Sequence, residues 1–442
     1  MLKKLLFLSA IGVSSVAFSQ QNIKEKLGNY FDSLSVHHKV MGSFAFAEND
    51  RPTFVKVIGF SDAEKKQKAN VNTQYRIGSI SKTFTAVLVM KAVEEKKISL
   101  DQKLSEFYPE VPNANKITIE NLLQHRTGIH NLTNEAEYWQ YNTKPQTESS
   151  LVNIIKKYKS DFEPGSKHEY SNSNYILLGF ILEKVYKKTY AELIKAKITK
   201  PLKLTLTEVG GKIDTSKDQA KSYQFTNGKY EISNETDMSI PIGAGNIIST
   251  PRDLLTFILG LEQGKLIKKE SLEKMKTFVD NYGYGLVKVP FGKYWGFGHT
   301  GGIDNFRSAL FYFPDIKTAV SFTTNQADMD TNEISIKMME TATGKDFEMP
   351  NFKTLEISET ELQKFVGNYV CRDFPLKINI FIEDKKLMAQ ATGQGAFPLE
   401  ATSNTSFKFD TAGIVIDFYP AKKQFIITQR GTKNTFTKEI TK

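Results

Sequence analysis

Apolar positions follow two different periods along this chain, and the change between them marks its organisation. From Ile23 to Leu34 they recur at helical spacing. Two strand-like runs follow, Gly42 to Ala47 and Thr53 to Gly59, and the polar segment Asn49-Asp50-Arg51-Pro52 between them predicts a hairpin. Beyond Tyr75-Arg76-Ile77-Gly78-Ser79, the residues Phe84, Val87, Leu88 and Ala92 share one face of a helix reaching about Lys96. A helix- and loop-rich stretch over about 98–260 holds predicted helices from Thr118 to Leu123, Ser149 to Tyr158, Tyr175 to Tyr186 and Pro251 to Leu261. The runs from Tyr284 to Val289, Lys293 to Gly298, Asn305 to Phe313 and Thr318 to Thr324 then read as consecutive antiparallel strands. Strands on either side of a helical insertion predict an α+β domain, an antiparallel sheet flanked by helices plus a helical lobe. A cleft forms naturally where such a lobe meets the sheet.

Near residue 350 the period becomes two. Leu376, Ile378, Ile380 and Ile382 alternate with Lys377, Asn379 and Phe381, and similar runs occupy Leu387 to Ala391, Phe407 to Phe409, Ile414 to Phe418 and Phe425 to Thr428. This predicts a small antiparallel sheet or all-β barrel. Its junction falls at Met349-Pro350-Asn351 and the polar segment ending at Glu359, so the expected organisation is a leader over 1–19, a large domain over 20–348 and a β domain over 356–442.

The leader follows from Lys3 and Lys4, the apolar run Leu5 to Val13, and the small residues through Ala17-Phe18-Ser19, the order of a cleavable export signal. No later segment supplies about 18 consecutive apolar residues, so no transmembrane segment is expected after its removal. The expected location is the periplasm or the exterior. Cys371 is the one cysteine, which excludes an intramolecular disulfide. A net charge of +10 is modest for 442 residues, and the lysines are scattered in pairs such as Lys156-Lys157. No aromatic-basic motif accompanies them, which argues against a nucleic-acid partner. The six histidines form no His-Glu-x-x-His pattern, so neither a metal nor another cofactor is expected. His37, His38, His125 and His130 read as surface or loop residues.

Three short motifs carry candidate chemistry. In Ser79-Ile80-Ser81-Lys82 a serine at a helix start lies one turn from a lysine. A serine hydroxyl becomes nucleophilic when a base removes its proton, and lysine can do so when burial lowers its pKa. The same spacing recurs at Ser271-Leu272-Glu273-Lys274, in a lysine-rich segment expected to be an exposed helix. Gly78, and the apolar helix after Lys82, favour the first copy. Tyr170-Ser171-Asn172, after the turn signal Glu163-Pro164-Gly165, is the one Tyr-x-Asn among 18 tyrosines. A phenol beside lysine loses its proton more easily and can serve as a general base, while the asparagine amide can hold both lysine and a substrate carbonyl. Ser171 or Asn172 also reads as a helix N-cap. Gly298-His299-Thr300-Gly301-Gly302 ends an aromatic strand. Backbone N–H groups there can form an oxyanion hole, with Thr300 and His299 contacting a carboxylate or the ionised tyrosine. A glycine-rich strand end with a surface histidine is the plainer reading.

Together and in this order the motifs resemble the serine β-lactamase and penicillin-binding-protein superfamily, closest to its class C-like branch, which includes D-alanyl-D-alanine carboxypeptidases, D-aminopeptidases and esterases. The stretches Asn121-Leu122-Leu123-Gln124-His125-Arg126-Thr127-Gly128 and Ile248-Ser249-Thr250-Pro251-Arg252-Asp253-Leu254 add to the resemblance, which covers about residues 23–345. It implies Ser79 as acylated nucleophile, Lys82 and Tyr170 as its proton partners, and Asn172 as a substrate or lysine contact. It also implies an oxyanion hole from the N–H groups of Ser79 and Gly302. Efficient β-lactamases of this branch usually carry lysine where His299 stands, so the resemblance shifts the expected substrate from β-lactams towards D-amino-acid peptides, amides or small esters. Cell-wall peptides belong to that class. A class C-type β-lactamase and a silent peptidoglycan-peptide sensor are the alternatives. No glutamate motif of the class A kind is evident, which leaves Tyr170 to activate water.

Overall fold

The computed structural model describes residues 21–372, 374–429 and 431–439; the expected leader lies outside the described residues. The chain divides into two compact units, one running to Ala327 and resuming over Asn332–Glu348, the other comprising Asp328–Thr331 and the chain from Met349.

In chain order the first unit contains helix α1 (residues 21–36), strands β1 (Val40–Glu48) and β2 (Arg51–Ile58), and helices α2 (Ser81–Glu94), α3 (Asn172–Tyr186) and α4 (Pro251–Glu262). Strands β3 (Val287–Phe291), β4 (Tyr294–Ile303), β5 (Phe306–Phe313) and β6 (Thr318–Ala327) and helix α5 (Asn332–Ala342) complete its frame. The hairpin after β1 turns on Asn49 and Asp50 alone, with φ of 50° and 60°. Short polar side chains tolerate this left-handed region, and such a pair supplies the twist of a two-residue hairpin. Arg51 and Pro52, expected in the turn, therefore begin β2, with Arg51 opposite Glu48. The six strands run antiparallel in the order β3-β4-β5-β6-β1-β2. Strands from the two ends of the unit thus meet at its centre, and the helical lobe is an insertion between them.

The lobe helices start where side chains can cap them. Thr118 and Thr250, read from sequence as helical or adjoining, are N-caps that accept from the N–H groups of Asn121 and Asp253. The pattern predicted one buried face on α2, yet every residue from Ser81 to Met90 is buried. α4 covers one side, with Phe84 stacked on Phe257 at 3.7 Å between ring centroids, and α3 covers another. A helix enclosed in this way removes Lys82 from water.

The second unit is a closed barrel whose eight strands, among the described residues, run from Gly367–Cys371 to Thr432–Lys438; the first pairs with both the second and the last. Closure leaves no free sheet edge. Ile378 and Ile380 point inward as the alternation predicts, and Phe365, Phe407, Phe418, Phe425 and Phe436 fill the interior. Each fully buried side chain of this size contributes about 1.5–3 kcal/mol of transfer free energy. The strands Gly367–Cys371, Phe397–Ala401 and Thr432–Lys438 had no clear sequence signal.

Candidate active site

Ser79 lies in a single 3-10 turn, Gly78–Ile80, that joins the short strand Tyr75–Arg76 to α2. Gly78 has φ of +49°, and a Cβ there would fall 2.7 Å from the Gly302 nitrogen. Only glycine meets both demands. Ser308 Oγ donates to the Ile77 carbonyl at 2.8 Å, and a Cβ on Gly301 would sit 2.0 Å from that same oxygen. The turn is thereby pressed against β4 and β5, and Ser79 is presented half-buried at its tip.

Lys82 follows within the first turn of α2. Its Nζ lies 3.0 Å from Ser79 Oγ, 2.8 Å from Asn172 Oδ1 and 2.8 Å from the Ala244 carbonyl. The Tyr170 hydroxyl donates to Ser79 Oγ at 2.7 Å. Asn172 is the first residue of α3, and Ser171 precedes it as N-cap by backbone angle with no side-chain cap bond. Asn172 Nδ2 donates to Thr133 Oγ1 at 3.1 Å, and its N–H to Asn131 Oδ1 at 3.0 Å. Five residues from three separate segments, Ser79 with Lys82, Tyr170 with Asn172, and Ala244, thus converge around the Ser79 hydroxyl.

Burial alone pushes the Lys82 pKa well below its ordinary value. Burial pushes the Tyr170 phenol up, against a smaller lowering by its bond to Ser79. Both effects favour the uncharged forms, because a low-dielectric surround penalises charge. A neutral amine has two N–H groups and one lone pair. In the neutral amine that burial favours, Asn172 Oδ1 and the Ala244 carbonyl, which only accept, take the two N–H groups, and the lone pair is left for Ser79. The sequence offers both Lys82 and Tyr170 as proton partners of Ser79, and burial favours the uncharged form of each.

A cavity of about 540 Å³ opens before Ser79, and Asn172, Ala244 and Gly302 share its wall with Trp139, Ile232 and Asp304. His299, Thr300 and Gly301 are not in that wall. Along β4 His299 is buried while Thr300 is exposed, as successive strand residues must face opposite ways. The pair therefore cannot hold one carboxylate between them. Nor is His299 a surface residue, being 4 % exposed with Nε2 3.0 Å from Tyr282 Oη.

His125 stands on a turn, as a loop residue would, but is completely buried rather than on the surface, with its ring 4.4 Å from that of Tyr170. Thr133, Asn131, Ala244, Tyr282 and Trp139 were missed altogether, because nothing in their local pattern separates them from ordinary loop residues. The second Ser-x-x-Lys copy lies on the helix Lys269–Met275, where Ser271 is buried rather than exposed. Its hydroxyl donates to Glu94 at 2.5 Å, and the copy is structural.

The model of the Beta-lactamase family matches residues 29–342. A teichoic acid D-alanine hydrolase of Staphylococcus aureus is 29% identical over 255 residues, 56% of this chain and 62% of that protein. The chain thus matches about three fifths of the length of that curated relative. The D-stereospecific amidohydrolase of a Streptomyces species superposes with a TM-score of 0.60 at 28% identity, over 74% of this chain and 98% of that one. The octameric penicillin-binding protein homologue of Pyrococcus abyssi superposes with a TM-score of 0.66 at 23% identity, over 93% and 99%, a likeness of fold. The chain belongs to the Beta-lactamase family, within the serine β-lactamase and penicillin-binding-protein superfamily.

Proposed function

We propose that this chain is an exported serine hydrolase that cleaves D-aminoacyl esters or amides through an acyl-enzyme on Ser79. The observation that carries the reading is the convergence of Lys82 Nζ and the Tyr170 hydroxyl on Ser79 Oγ, at 3.0 and 2.7 Å. Ser79 passes its proton to Lys82 while Oγ bonds to the substrate carbonyl carbon. The N–H groups of Ser79 and Gly302 receive the developing oxyanion. Collapse expels the amine or alcohol, which is protonated by the Tyr170 hydroxyl as Lys82 returns the proton to the site. Water, deprotonated by the same pair, then releases the acid.

The D-aminoacyl class is supported by the two relatives named for D-alanine hydrolysis and D-stereospecific amide hydrolysis. Asp304 is the one charged side chain in the cavity wall among the described residues, and it is buried against Arg76 at 2.9 Å. Export rests on the leader pattern of Lys3, Lys4 and the run Leu5 to Val13.

The test is intact-mass analysis after exposure to a fluorophosphonate probe and to penicillin, followed by turnover of D- and L-alanine p-nitroanilides, their N-acetyl forms and a cephalosporin. One fluorophosphonate adduct, absent in Ser79→Ala, and preference for the D- over the L-anilide are expected. Absence of any adduct favours the silent sensor, and faster cephalosporin turnover favours the β-lactamase.

A further inference from the structure

Behind Tyr170, three buried side chains that make no contact with Ser79 form a continuous chain of hydrogen bonds. His125 Nδ1 receives the Ser171 N–H at 3.2 Å and lies 3.2 Å from Asn174 Nδ2. Asn174 Oδ1 already accepts from Thr127 at 2.7 Å, so the amide nitrogen is the group turned towards the ring. Two donors face Nδ1, which therefore carries the lone pair. The proton of the neutral ring is on Nε2, 3.2 Å from Tyr282 Oη. At the other end, His299 Nδ1 lies 2.5 Å from the Thr300 carbonyl, which can only accept. His299 Nδ1 is thus protonated, and its Nε2 lone pair takes the Tyr282 O–H at 3.0 Å. Every proton in the chain has one place to go.

We propose that His125 and Tyr282 are positioning residues that lock His299 as a neutral imidazole protonated on Nδ1. The lock has two consequences for the acyl transfer proposed above, on which it rests. The rings of His125, Tyr282 and His299 surround that of Tyr170 at centroid distances of 4.4, 6.3 and 6.4 Å and hold its hydroxyl on Ser79. They also keep cationic charge away from Lys82, which must itself become cationic as Ser79 attacks; a like charge nearby would oppose that step. His125 has φ of 56°, so the strain at this loop position serves the same end. The stretch from Gln124 to Gly128 and the strand end at His299, far apart in sequence, become one device.

Long-range proton–nitrogen NMR of the full chain labelled with ¹⁵N-histidine reads the tautomers directly. The expected result at neutral pH is His125 protonated on Nε2, His299 on Nδ1, and neither cationic. Tyr282→Phe removes the central link while keeping the ring. Its maximal fluorophosphonate labelling rate is expected to fall at least about tenfold, with the half-saturating concentration nearly unchanged. His125→Gln, which can still donate to Tyr282, is expected to label at least about tenfold faster than His125→Asn, whose side chain suits the left-handed backbone but is too short to reach. Thermal unfolding of each variant checks that it is folded. A cationic or Nε2-protonated His299 overturns the proposal, as does wild-type labelling by Tyr282→Phe. If wild-type Ser79 takes no label at all, the hydrolase reading fails while the tautomers still decide the lock.

Discussion

Gly78 and Gly302 approach so closely that a Cβ on the first would lie 2.7 Å from the backbone nitrogen of the second. The turn of the proposed nucleophile and the proposed oxyanion donor are therefore set against each other by backbone alone. Gly78→Ala adds that methyl at φ of +49°, which costs about 1–2 kcal/mol in backbone conformation. It also forces the turn and β4 apart. Acylation by a fluorophosphonate is expected to slow roughly 10²-fold, measured against a modest drop in melting temperature. Equal labelling rates would show that the close approach is not needed for reaction.

Asn172 Oδ1 accepts from Lys82, and a carboxylate of the same shape adds a negative charge there and turns the group facing Thr133 from donor to acceptor. Burial holds the Lys82 pKa down in the wild type, whereas an adjacent carboxylate favours the ammonium and raises it. The free base is then reached only at higher pH. Asn172→Asp should lose roughly 10²-fold in labelling rate at pH 7, with the rising limb of the pH–rate profile moved to higher pH.

Trp139 and Ile232 line the cavity but are 71% and 54% exposed, an apolar rim in which Trp139 meets Tyr138 edge to face. Trp139→Ala should leave the melting temperature within error while raising KM about tenfold for D-aminoacyl substrates with aromatic side chains, and less for D-alanine. Steady-state kinetics on the two substrates separates the effects.

Arg76 is buried, and its guanidinium bonds Asp304 at 2.9 Å, Glu235 at 2.7 Å and the carbonyls of Thr236 and Gly211. Removing one member of a buried ion pair strands the other. Arg76→Leu is expected to cost about 3–5 kcal/mol in urea unfolding, and Arg76→Leu combined with Asp304→Asn less than the sum of the two single changes.

His130 bridges Asp161 at 3.0 Å and Glu135 at 2.8 Å. Burial disfavours its charge, but the bonds to Asp161 and Glu135 outweigh that and raise its pKa above 6.5. A raised histidine pKa gives stability that is complete below the unfolded value of 6.5 and is lost as pH rises through the folded value. The melting-temperature difference between wild type and His130→Ala should therefore be largest in mild acid and shrink towards alkaline pH. A gap independent of pH would show that the bridge carries no charge.

Ser-x-x-Lys, Tyr-x-Asn and His-Thr-Gly were legible because each packs its chemistry into three or four consecutive residues, where spacing alone puts side chains within reach. So were the α+β order of elements and the alternating barrel strands, since periods of 3.6 and 2 follow from backbone geometry. Gly78 and the apolar helix after Lys82 favour the first Ser-x-x-Lys copy in the sequence, but what each serine faces is not legible there. Ser79 faces a cavity and Ser271 faces Glu94 only because different helices arrive beside them.

What the sequence by itself determined, then, is which short-range chemistry the chain carries and in what order. Tertiary structure alone decided which of these groups are buried and what each one faces. It enclosed α2 so that Lys82 is buried, and turned His299 inward to meet Tyr282 and His125. Solvent exclusion and hydrogen-bond direction depend on what lies around a group in space, and residues more than 150 positions apart supply those surroundings here.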